Sequence, residues 1–198
     1  MSEQIKEKMR VYYAEANYGS DEIEAALKVL ENGRLALMAV KNTKELEEKT
    51  AVLFRKKYGL MTNSGSSANL LAMKSLGLKK SSKVITPALT FSTTVAPIVQ
   101  SDLVPLFVDV EIDTLQINTK ALKMIDLENV SAICVPNLIG NIANWEELHT
   151  FAKENELKLI EDSADTIGYN YQTELLDWSD ITTTSFYASH VVTGAGFG

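Results

Sequence analysis

The chain has 198 residues, 45% hydrophobic and 23% charged, the composition of an ordinary globular protein with one sizeable core and no linker dividing it. Its formal charge of −7 with scattered lysines argues against nucleic acid as a partner, because phosphate neutralisation is what holds such proteins to their target. No run approaches the roughly 18 apolar residues a membrane span needs, and the polar opening MSEQIKEKMR is no secretory signal, so no membrane partner and a cytoplasmic location are expected.

In chain order, GSDEIEAALKVLENG predicts a helix, with Ser20 as a cap, Asp21 and Glu22 at its positive end and Gly33 closing it. NTKELEEKTAVLFRKKYG predicts a second, amphipathic helix stopped at Gly59, followed by a short strand LMTN and a third helix SSANLLAMKSLGL. Further strands are predicted at KVITP, VPLFVDV, SAICVP, KLIEDS and TTTSFYA, with helices at 92–101, 119–126 and 145–155 between them. Strands this apolar are covered on both faces, so the expected fold class is α/β, a mostly parallel sheet flanked by helices. Ligands of such sheets gather at the C-terminal ends of the strands.

Cys134, the one cysteine, sits in an apolar run and reads as a buried small hydrophobe. The two histidines, His149 and His190, have no cysteine nearby, so no metal site is expected.

The strand ends carry the polar residues of interest. TNSGSSANLL runs from a glycine turn into a helix start: Gly65 permits close backbone approach, Ser66 and Ser67 offer hydroxyls, and the first N–H groups point outward. That suits a phosphate, and equally an ordinary turn with a serine cap. Asp162, at the end of KLIEDS, could keep a pyridine nitrogen protonated or simply cap a helix, and Asp165 follows one step on. Phe91 can stack on a flat ring or serve the core. Ser185 precedes His190 without the G-x-S-x-G elbow of a hydrolase.

Taken in order, NSGSSANLL, VITPALTFSTT, PLFVDVEIDTLQIN, PNLIGN, LIEDSADTIG and SFYASH resemble the DegT/StrS family of fold type I PLP enzymes, which act on nucleotide-linked 4-keto sugars. The resemblance runs from about Tyr18 to the last residue. It implies that Gly65, Ser66, Ser67 and Ser185 hold the cofactor phosphate, that Phe91 stacks on its ring and that Asp162 pairs with the ring nitrogen. Asp165, which the resemblance also implies to be cofactor-binding, falls where most aminotransferase members carry Gln, and an acid there is similar to the dehydratase branch. His190 falls where aminotransferase members carry the lysine that bonds PLP. A histidine there can move protons but cannot form that bond, as in the 3-dehydratases that act on nucleotide-linked 4-keto-6-deoxy sugars with PLP in its amine form, PMP. The resemblance therefore implies a PLP/PMP-dependent sugar 3-dehydratase with a nucleotide-sugar substrate, homodimeric in the full-length parent. Residues 1–198 would form the N-terminal segment and an incomplete cofactor-binding large domain, without the C-terminal small domain. An aminotransferase of the same family, or a non-catalytic cofactor-binding or dimerisation fragment, are the alternatives.

Overall fold

The computed structural model describes residues 10–12, 14–33, 41–167 and 177–194. Helices α1 (Ser20–Asn32), α2 (Lys41–Leu53) and α3 (Gly65–Ser75) lead into a strand–helix alternation. This comprises β1 (Lys83–Pro87), α4 (Ser92–Gln100), β2 (Val104–Val108), the short α5 (Thr119–Leu122), β3 (Val130–Pro136), α6 (Trp145–Glu154), β4 (Lys158–Ser163) and β5 (Ile181–Thr184). The strands form one parallel 5-stranded sheet in the order β2-β1-β3-β4-β5. Among the described residues no helix is long and apolar enough to cross a membrane.

Strand periodicity divides the core into two layers. Ile85, Ile133, Val135 and Leu159 point to one face, where Leu122 of α5 and Trp145, Leu148 and Ala152 of α6 cover them. Val84, Ala132, Cys134 and Ile160, their immediate neighbours in sequence, point to the other face and pack on Ala72 and Met73 of α3 and Ile98 of α4. Both faces are dry, as the continuous apolar strands require. The Cys134 thiol lies inside the second layer, where burial pushes its pKa up and leaves it chemically inert.

Several boundaries differ from the sequence expectation. The cap of α1 is Gly19 rather than Ser20; Glu22 Oε2 accepts the Gly19 N–H at 2.7 Å, and Gly33 closes the helix by donating to the Val29 carbonyl. Helix α2 ends at Leu53, with Arg55 in the left-handed region at φ 56°, and LMTN is not a strand. The strand in TTTSFYA stops at Thr184 because its ladder partner, β4, stops at Ser163.

The chain leaves β1 toward β2 on one side and leaves β3 toward β4 on the other. Since β1 and β3 are neighbours, their connections diverge and open a crevice at their C-terminal ends. The candidate site lies there.

Candidate functional site at the strand ends

A cavity of about 770 Å³ opens at this end of the sheet. Gly65, Ser66, Phe91, Asp162, Asp165, Ser185 and His190 all line it, although they are spread over more than half of the chain. Ser67 is the exception. It lies within the first turn of α3, where its N–H donates to Ser64 Oγ at 3.1 Å.

Asp162 shares its face with Ile160 and Cys134, so its carboxylate points at α3 and α4. There Asn69 Nδ2 donates to Oδ2 at 2.8 Å and Thr94 Oγ1 donates to the same oxygen at 2.9 Å. Among the described residues, Oδ1 receives only the Ala164 N–H, at 3.3 Å. Burial raises the Asp162 pKa above the ordinary carboxylate value, and the hydrogen bonds from Asn69 and Thr94 offset part of that rise. A buried carboxylate with one poorly partnered oxygen is a strong acceptor for a cationic N–H. Glu161, one residue earlier, faces the opposite layer, where Asn137 Nδ2 donates to it at 3.0 Å and Ser163 Oγ at 2.7 Å.

At the cradle, Ser64 is the N-cap of α3, so the N–H groups of Gly65 and Ser66 begin the helix without intrahelical acceptors. A Cβ added at Gly65 would lie 3.1 Å from Ser185 Cβ and 3.4 Å from its Oγ, tighter than an ordinary contact. The glycine therefore lets the end of β5 close over the helix start. Ser185 Oγ accepts the Tyr187 N–H at 3.2 Å, so its own proton remains available to donate. Helix N–H groups, the positive end of the helix dipole and the hydroxyls of Ser66 and Ser185 thus face one end of the cavity. Phe91 is the N-cap residue of α4 and is 63% exposed at the rim.

His190 sits in a turn after β5, its N–H donating to the Tyr187 carbonyl at 2.9 Å. Its Nδ1 is 3.2 Å from Asp165 Oδ1, while Asp165 Oδ2 accepts the Ile139 N–H at 3.0 Å. The Tyr187 ring meets the imidazole edge-on, with centroids 6.1 Å apart.

Residue patterns alone did not single out Asn69, Thr94 or Ser64. Asn69 had a visible signal, since it occupies the first place of the buried i, i+3, i+4 stripe that continues with Ala72 and Met73. A polar residue on such a stripe must have a buried partner.

Residues 17–198 match the model of the DegT/DnrJ/EryC1/StrS aminotransferase family. The chain is 39% identical over 184 residues to a dTDP-4-dehydro-2,6-dideoxy-D-glucose 3-dehydratase of Saccharopolyspora spinosa, covering 88% of this chain and 38% of that protein. Among solved structures it superposes with a TM-score of 0.82 and 29% identity on the GDP-4-keto-6-deoxy-D-mannose 3-dehydratase of E. coli with bound hydrated PLP, covering 93% of this chain and 49% of that one. A Helicobacter pylori aminotransferase of pseudoaminic acid biosynthesis shares the fold, with a TM-score of 0.85 at 23% identity, over 94% of this chain and 50% of its own. The chain thus spans about half the length of these solved relatives. With a family match over nearly its whole length and a relative this similar across most of it, the chain belongs to the DegT/DnrJ/EryC1/StrS aminotransferase family.

Proposed function

We propose that this chain is the cofactor-binding part of a PLP/PMP-dependent 3-dehydratase acting on a nucleotide-linked 4-keto-6-deoxy sugar. The observation that carries the reading is His190: an imidazole, rather than a lysine amine, occupies the cavity that also holds the buried Asp162. The 39% identity to a sugar 3-dehydratase supports it, as does the likeness to a solved 3-dehydratase with bound PLP.

The residues present fit the cofactor. Gly65 and Ser66 would bind its phosphate through their N–H groups, helped by the hydroxyls of Ser66 and Ser185. The tight approach of Gly65 to Ser185 is what a compact phosphate cradle needs. Phe91 would cover one ring face. Asp162, raised by burial and held from behind by Asn69 and Thr94, would keep the pyridine nitrogen protonated. When bound, PMP supplies an amine for the 4-keto carbon of the sugar and a conjugated ring that stores electrons. His190, which has no amine, would not bond the cofactor covalently; its imidazole would act there as the general base that accepts a proton.

The test is to give the protein that carries this chain PMP and a set of nucleotide-linked 4-keto-6-deoxy sugars, with products read by mass spectrometry and NMR. A product lacking the C3 hydroxyl is expected. A product that keeps that hydroxyl and gains an amine at C4 would instead establish an aminotransferase.

A further inference from the structure

Asp165 and the backbone of Ile139 make a device that the cofactor contacts do not explain. The Asp165 carboxylate has two separate partners. Its Oδ2 takes the Ile139 N–H at 3.0 Å, and its Oδ1 lies 3.2 Å from His190 Nδ1. Ile139 itself is unusual, a β-branched residue in the left-handed region at φ 57°, ψ 28°, a conformation that is strained for an L-residue. In the cavity-lining turn Leu138–Gly140 this strain is spent on aiming one N–H at the carboxylate.

The imidazole needs such a partner. Nδ1 is buried and makes no well-aligned hydrogen bond in this conformation, although the ion-pair distance to Asp165 is short. A buried ring nitrogen left unpaired is costly, and at 3.2 Å a small ring rotation aligns it with the Asp165 carboxylate. Catalytic contacts in ligand-free sites are commonly loose in just this sense.

We propose that Asp165 is the positioning residue of His190, and that Ile139 N–H, Asp165 and His190 form a relay fixing the imidazole as the Nδ1–H tautomer. An ionised carboxylate only accepts hydrogen bonds, so it holds the ring proton at Nδ1 and leaves the Nε2 lone pair for the cavity. When Nε2 accepts a proton from carbon, the proton stays on the ring and the Asp165 charge balances the imidazolium. This rests on reading His190 as the proton-moving group, but the tautomer can be measured without any turnover.

The test is a long-range ¹H–¹⁵N spectrum of the histidine-labelled protein, taken roughly two units above the ordinary imidazole pKa near 6.5. The sequence has 2 histidines, and His149 Nδ1 lies 2.8 Å from the Trp178 carbonyl, which only accepts, so His149 is an internal Nδ1–H reference. In the wild type, His190 should show the same pattern, with a bare Nε2. In Asp165→Asn the amide oxygen is pinned by the Ile139 N–H, so the NH₂ group faces Nδ1 and the His190 proton should move to Nε2. His149 should not change, which reports that the fold is intact. A wild-type His190 protonated at Nε2 would overturn the proposal without any mutant, and so would an unchanged His190 pattern in Asp165→Asn. If both expected patterns appear but the protein fails to bind PLP, the relay stands and the dehydratase reading falls.

Discussion

The Asp162 carboxylate is buried at a cost to the stability of the fold. Burial raises its pKa, so the folded chain holds this proton more tightly than the unfolded chain does near the ordinary value of 3.8. Between 3.8 and the raised value the folded state binds more protons than the unfolded one, and stability falls as pH rises through that window. The full cost is present at any pH above the raised value. Asp162→Asn keeps an acceptor for Asn69 and Thr94 and removes the buried charge. Without cofactor, the variant should melt higher than the wild type at pH 7, by about 2–4 °C for each kcal/mol gained. The difference should close in melts taken below pH 3.8, while turnover of the full protein drops by orders of magnitude. Equal melting at pH 7 would show that the carboxylate is not strained by burial. Gly65→Ala tests the cradle in the same way. Its new Cβ would lie 3.1 Å from Ser185, so PLP affinity should weaken at least about tenfold, close to 1.4 kcal/mol. Gly77→Ala, at φ +60° with nothing within 4 Å, should lower stability by about 1–2 kcal/mol and leave PLP affinity alone. Fluorescence titration separates the two effects. The acid of the Glu161–Asp162 pair that reaches the cavity follows from strand alternation, and the glycine turn was visible in the sequence. The contact of Asp165 with Ile139 was not, because it depends on a backbone conformation that no isoleucine announces.

At the level of elements, the sheet and its helices were legible because each strand is a short apolar run and both layers alternate strictly along it. The misread pieces are those whose fate depends on a partner elsewhere. LMTN has strand-forming residues, but Leu60 is 72% exposed and no described strand pairs with it. The run after Thr184 loses strand character where β4 ends, which frees Ser185 through His190 to fold back over the cavity. Ser64 is the element-scale device that sequence patterns left unassigned, the predicted helix beginning at Ser66 and the observed one at Gly65. It caps α3 and so orients the free N–H groups of Gly65 and Ser66. Ser64→Ala should cost about 1 kcal/mol of stability, read from urea unfolding, and should also weaken inorganic phosphate binding. Loss of stability with unchanged phosphate affinity would mean that the helix start does not serve the anion.

Across the whole molecule, the described surface carries many exposed large hydrophobic side chains. Helix α1 buries none of its residues, and Ile23, Leu27 and Leu30 form an exposed stripe at helical spacing. Val52, Leu53, Tyr58 and Leu60 add further exposed apolar surface around the end of α2. The isolated 198-residue chain should therefore self-associate in sedimentation velocity as its concentration rises, and Leu27→Glu should reduce that association. A monomer at every concentration would show that these residues need no cover. The central question is whether position 190 stands at the cofactor, and a residue swap with covalent trapping answers it most directly. The full protein and its His190→Lys variant are loaded with PLP, reduced with borohydride and weighed intact, with the adduct mapped by peptide digestion. The expected result is no stoichiometric pyridoxyl adduct on the wild type and one on the variant, at position 190. A stoichiometric adduct on a wild-type lysine, or none at position 190 in a variant that binds PLP, would contradict the placement of His190 at the cofactor.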